Sequence, residues 1–189
     1  MIAPLVAAVA QAQDPQALLA AVQALAASRD PEAIPHLIKA FGYNQPAVSE
    51  AALAGVVAFG ALAVEPLLTQ IDGYDYGARA YSVRALAKIG DPRAVNFLLD
   101  AVVADFAPSV RRAALRGLGK VASPVPPQLH SQLQEVFRRC AQDSDWGIRY
   151  ALVCTLADLG CQNFGEVAAM LVQDRDPLVQ AKAKLALAG

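Results

Sequence analysis

Three turns in this sequence carry residue types that could do chemistry. They are Gly73-Tyr74-Asp75-Tyr76-Gly77-Ala78-Arg79-Ala80-Tyr81, Asp105-Phe106-Ala107-Pro108-Ser109-Val110-Arg111-Arg112, and Asp143-Ser144-Asp145-Trp146-Gly147-Ile148-Arg149-Tyr150. Each sets an aspartate, an aromatic ring and an arginine within a few residues of one another. Arginine presents a planar fork of donors that matches a carboxylate, and an aromatic ring presents a flat apolar face. Together they suit a flat, anionic, conjugated ligand or a protein hot spot. A plainer reading competes for part of this set. Asp at a turn caps the following helix, and Arg one helical turn later bridges adjacent structural units. Capping also accounts for the closely spaced carboxylates Asp143 and Asp145 more simply than a paired acid–base site does. It does not account for Tyr74, Tyr76 or Trp146, because a cap needs a small polar side chain.

The spacing of these turns shows what must hold them. A shift of 32 residues places Arg79 on Arg111 and Arg84 on Arg116, and a further 38 places Arg111 on Arg149. The turns are the decorated copies of a phrase that starts near Val48, Ala78, Val110, Ile148 and Val179. An apolar residue recurs eight positions into each copy: Val56, Leu86, Leu118, Leu156 and Leu187. Self-similarity at this period marks stacked repeats. Between the phrases lie further helical patterns. They open at Asp30-Pro31-Glu32 (to Phe41), Val64-Glu65-Pro66 (to about Asp72), Asp91-Pro92-Arg93 (to about Asp105), Pro126-Pro127 (through Cys140) and Asn163 (to about Gln173). Asp before Pro starts a helix because the carboxylate accepts the free amides of the first turn and proline has no amide to leave unpaired. Gly42, Gly60, Gly90 and Gly160 sit where helices should end in a left-handed residue.

The expected fold is therefore all-α: a right-handed α-solenoid of antiparallel helix pairs of the HEAT/armadillo kind. Residues 1–189 are expected to form a single repeat domain of about five pairs, the first over 14–42 and an incomplete last one over 177–189. Equivalent positions in adjacent repeats should line up as a ladder with steps of about 10 Å. The proline-rich stretch at 122–127 is the one irregularity.

Composition excludes several classes of function. A net charge of −1 gives no basic footprint for nucleic acid. No stretch approaches the roughly 18 uninterrupted apolar residues of a membrane span, and the N-terminus lacks the basic region of a signal peptide. Cys140, Cys154 and Cys161 form no metal-ligand spacing with the two histidines, His36 and His130, so a reducing cytosol is expected and no metal site. The cysteines are expected to pack as small hydrophobes. No phosphate loop, dinucleotide turn or nucleophile–base signature occurs.

The tracts Asp75-Tyr76-Gly77-Ala78-Arg79-Ala80, Asp105-Phe106-Ala107-Pro108-Ser109-Val110-Arg111-Arg112-Ala113-Ala114 and Asp143-Ser144-Asp145-Trp146-Gly147-Ile148-Arg149-Tyr150 resemble the E/F-type phycobilin lyases of cyanobacteria and red algae. The resemblance runs from about Tyr74 to Gly160 and is greatest to the smaller, F-type (beta) subunit. It implies a heterodimer with an E-type (alpha) subunit that attaches phycocyanobilin, a linear tetrapyrrole, through a thioether to a cysteine of the phycocyanin alpha subunit. It implies no cofactor, the bilin being substrate, and a place in the cyanobacterial cytosol near phycobilisome assembly. On that resemblance Tyr74, Tyr76, Arg79, Tyr81, Arg111, Arg112, Trp146, Arg149 and Tyr150 are the bilin-binding candidates, and Asp75 and Asp145 the candidates for holding or moving a proton. Isomerising relatives are expected to carry a His-Cys dipeptide, which is absent here, so plain ligation is favoured. The alternative is a non-enzymatic adaptor or phycobilisome degradation factor that binds phycobiliprotein or bilin. In the last copy, Leu178, Leu185 and Leu187 are expected to lie on an exposed apolar face suited to docking.

Overall fold

The computed structural model describes residues 2–70 and 75–188. The described residues are helical with no strand: α1 (Ala3–Gln11), α2 (Pro15–Ala27), α3 (Ile34–Lys39), α4 (Pro46–Ala58), α5 (Val64–Gln70), α6 (Tyr76–Ile89), α7 (Val95–Ala104), α8 (Pro108–Val121), α9 (His130–Ala141), α10 (Trp146–Leu159), α11 (Gly165–Val172) and α12 (Pro177–Ala188). Among these residues no single helix is long and apolar enough to cross a membrane. The helices fall into two compact units, divided between Ile89 and Gly90. In the first, α4 packs between α2 and α6, with α3 behind it and α1 against α2. In the second, α10 packs between α8 and α12, with α9 and α11 behind and α7 against α8. Each unit is thus a short stack of helix pairs. The helix α1 has no counterpart among the expected elements: its apolar run is alanine-rich and its one punctuation residue is Pro4.

The caps form as their residues dictate. Asp14 accepts the amides of Gln16 and Ala17, and Asp176 those of Leu178 and Val179. Asp30 and Asp91 start differently. Each caps one 3-10 turn, Pro31–Ala33 and Pro92–Ala94, before the chain relaxes into α3 and α7. Gly60, Gly90 and Gly160 have positive φ of 58°, 75° and 84°, as their positions after helices require. Gly42 does not; it closes the 3-10 turn after α3. Its lack of a side chain matters for another reason, since a Cβ there would lie 2.5 Å from Asp75 Oδ2.

The repeat's apolar position is the core. Val56, Leu86, Leu118 and Leu156 are all buried, whereas Leu187 on the last helix is 48% exposed. Each buried leucine or valine contributes about 1.5–3 kcal/mol relative to exposure. The small residues allow close approach. A Cβ on Gly55 would meet Ala26 Cβ at 2.6 Å, so α2 and α4 touch backbone to backbone. Between α8 and α10 the buried Thr155 hydroxyl donates to Leu115 O at 2.8 Å, so a polar bond crosses the helix contact.

Candidate functional site

In the second unit three aspartates shape the turns that lead into the front helices. Asp105 Oδ1 accepts the Ala107 amide, Asp143 Oδ1 the Asp145 amide, and Asp174 Oδ1 the Asp176 amide, at 3.0, 2.9 and 2.8 Å. Each is a tight local turn that an Asp side chain stabilises through the amide two residues on. The arginines then reach forward by one repeat. Arg111, on α8, donates to Val102 O and to Asp143 Oδ2, at 2.9 and 2.7 Å. Arg149, on α10, forks onto both oxygens of Asp174 at 2.8 and 3.0 Å and donates to Asp143 O at 2.7 Å. So a ladder exists across α8, α10 and α12, and its rungs are arginine–aspartate pairs joining each repeat to the turn of the next.

Arg149 and Arg111, both expected as ligand-binding groups, thus carry contacts between neighbouring repeats. The Arg149 and Asp174 side chains are each 4% exposed. Burial would raise the Asp174 carboxyl, but the Arg149 guanidinium and the Asp176 amide outweigh it and hold the group below the usual carboxylate range. Asp174 in turn raises Arg149. The pair is closed on itself. Arg111 is partly exposed, but two of its donors are committed to Val102 and Asp143.

Asp145 and Asp75 also have structural work. Asp145 Oδ1 accepts the amides of Gly147 and Ile148, at 2.7 and 3.2 Å, and starts α10. Asp75 Oδ1 accepts the Ala78 amide at 2.9 Å and starts α6. Both expected proton-handling carboxylates are therefore helix caps in this structure.

The aromatics stand apart. The front helices α2, α4, α8 and α12 begin with Pro15, Pro46, Pro108 and Pro177, the residue best suited to a first helical position. In α6 and α10 that position is taken by Tyr76 and Trp146, which are 63% and 49% exposed. An exposed ring thus stands where proline is the favoured residue. The substitution is visible in the sequence as a break in an Asp/Gln/Ala-Pro pattern, and it is a sharper signal than aromatic clustering. Trp146 meets Tyr150 edge-on, with ring centroids 6.2 Å apart. Phe106 is 72% exposed at the preceding turn. Tyr81, by contrast, belongs to the packing of the first unit. It stacks on the buried Phe41 at 5.7 Å and lies under the Arg84 guanidinium at 5.0 Å. Arg79 is half-buried on α6. Tyr74, like Asp72, lies outside the described residues.

Arg112 is half-buried on α8, and its guanidinium lies against the backbone of Gly147. Two of the cysteines are buried thiols: burial pushes Cys140 up to about 11, with Arg111 nearby only partly offsetting it, and burial raises Cys161 too. Among the described residues no cluster of His, Cys, Asp or Glu could hold a metal ion.

HEAT repeats match residues 64–129 and 104–188, and the PBS lyase HEAT-like repeat matches residues 17–43. The phycocyanobilin lyase subunit beta of Nostoc sp. (strain PCC 7120) is 44% identical over 94% of this chain and 94% of its own length. The chain belongs to the phycocyanobilin lyase beta-subunit family. A second beta subunit, from Thermosynechococcus vestitus, is 43% identical over 95% of this chain and 92% of its own. Among solved structures, a chain of the complex of CpcE and CpcF of phycocyanin lyase from Nostoc sp. PCC7120 matches with a TM-score of 0.74. It is 42% identical and covers 83% of this chain and 99% of its own. The likeness to the lyase family thus extends well beyond the Tyr74–Gly160 tract, and the family's HEAT repeats are the helix pairs described above.

Proposed function

We propose that this chain is the beta subunit of a heterodimeric phycocyanobilin lyase, paired with an E-type alpha subunit and acting on the phycocyanin alpha chain. The observation that carries this reading is 44% identity along 94% of both chains to a curated phycocyanobilin lyase beta subunit. The likeness to a chain of the CpcE–CpcF complex supports the E-type partner. Its place is the cyanobacterial cytosol, where phycobilisomes are assembled.

The chemistry asks little of the lyase in the way of reactive groups. A cysteine thiolate of the acceptor adds to the ethylidene group of ring A. One carbon–sulfur bond forms, the displaced π electrons take up a proton within the tetrapyrrole, and no atom leaves. The lyase subunit's part is to hold the bilin in one conformation and orientation against the acceptor. This agrees with the raised thiols of Cys140 and Cys161 and with the cap carboxylates Asp75 and Asp145 being engaged. Exposed Trp146 and Tyr76, with half-buried Tyr150 edge-on to Trp146, offer ring faces to the conjugated system. No cofactor is needed on this reading, since the bilin is itself the substrate.

Co-expression with an E-type subunit, a phycocyanin alpha chain and a phycocyanobilin supply tests it. Zinc-enhanced bilin fluorescence on the acceptor band of a denaturing gel should require this chain. An acceptor band of equal intensity without it, or none in a host where a known lyase pair works, rejects the reading.

A further inference from the structure

Of the arginines suited to meeting an anionic ligand, the structure commits Arg111 and Arg149 to neighbouring turns. Arg112 is different. Among the described residues it has no hydrogen bond or ion pair, and yet it is held in place. A Cβ on Gly147 would lie 2.5 Å from Arg112 Nη1 and 3.1 Å from its Cδ, so the guanidinium occupies space that only glycine leaves open. Gly147 is itself buried and stands between Trp146 and the first full turn of α10. The two amides that α10 could offer an anion are already taken by Asp145, and exposed Arg175 donates to the Asp143 and Ser144 carbonyls of the same turn, which leaves Arg112 as the cation here without a hydrogen-bond partner. It is also a departure from the repeat: the equivalent positions carry Ala80, Tyr150 and Ala181. The exposed Trp146 follows from the same turn, with Tyr150 edge-on to it at 6.2 Å.

We propose that Arg112, seated over Gly147 beside the Trp146–Tyr150 pair, is the subsite for a propionate carboxylate of the linear tetrapyrrole. This rests on the bilin-lyase reading and names one contact within it. A bidentate guanidinium–carboxylate contact fixes one edge of the pigment while the indole takes a ring face, which sets orientation as well as affinity. The flanking arginines serve it indirectly, since Arg111 and Arg149 hold the Asp143 turn from which α10 begins.

The test is a titration of the purified heterodimer with phycocyanobilin and, separately, with its dimethyl ester, read by visible absorption. The ester keeps the conjugated system and removes both charges. The wild type should bind the free acid about tenfold or more tightly than the diester, the scale of a charge-assisted hydrogen-bond pair. Arg112→Gln should bring the two pigments to within about twofold, acting on the acid alone, and Arg112→Lys should keep part of the preference. Gly147→Ala, which displaces the guanidinium and retains its charge, should also weaken the preference and serves if Arg112→Gln does not fold. A full preference for the acid in Arg112→Gln or Gly147→Ala, or equal binding of both pigments by wild type, overturns the proposal and leaves the lyase reading standing. No binding of either pigment by the wild-type pair overturns bilin binding itself.

Discussion

The helices α10 and α6 are copies of one phrase, and their described contacts differ in kind. In the second unit the fastening is charge. Arg111 meets Asp143 and Arg149 meets Asp174, the latter pair buried and joined by two hydrogen bonds. On α6 the described contacts include an aromatic stack, buried Phe41 against Tyr81, with Arg84 above the ring and Glu50 beyond it at 2.7 Å. The Arg84–Glu50 pair is open to solvent, with side chains 37% and 51% exposed. Two arginines on equivalent front helices, Arg84 and Arg149, therefore carry very different structural weight. What decides the weight is burial of the partner and not the presence of the pair.

The comparison breaks most visibly at Arg149. Arg149→Met leaves Asp174 buried and unpaired and should cost about 3–5 kcal/mol in urea unfolding; a loss under about 1 kcal/mol would show that charge is not what holds these turns. In the first unit Phe41→Ala should cost a similar amount, about 3–5 kcal/mol, through the lost packing and the cavity left behind. Acid should separate the two fastenings. Asp174 is held below the ordinary carboxylate value, so its contribution is complete above the unfolded value near pH 4 and disappears as pH falls through the lower folded value. Asp174→Asn should remove that part of the acid dependence of the thermal midpoint, and an unchanged acid limb would refute the assignment. Glu50→Gln should cost less than about 1 kcal/mol, although Arg84 holds the Glu50 carboxyl below its usual range, because the pair is exposed. Smallest in stability is Trp146→Ala, within about 0.5 kcal/mol as for any exposed side chain. The same substitution should reduce bilin attachment to the acceptor several-fold, which sets the exposed rings apart from the buried rungs.

Much of this was legible in the order of residues. The period places Arg79, Arg111 and Arg149 at one position and Val56, Leu86, Leu118 and Leu156 at another, and the latter four are buried as an apolar helical stripe must be. The sequence also holds the Pro-to-aromatic exchange at Tyr76 and Trp146. It stands out only when all the front helices are aligned on their first residue. The partners of the arginines were not legible. Asp143 and Asp174 lie 32 and 25 residues downstream of Arg111 and Arg149, each behind a back helix, and many aspartates would have served on spacing alone. Nor was the role of Gly147, which reads as a neutral residue in a capped helix start until the neighbouring helix places a guanidinium against it.

By itself the sequence determined the helix pairs, their caps and their stacking period, because these follow from contacts within about four residues along the chain and from one repeated apolar stripe. Tertiary structure alone decided which charges are closed against each other and which are not. That choice depends on side chains from adjacent repeats converging in space, on how much water reaches them, and on whether a backbone position has room for one more atom.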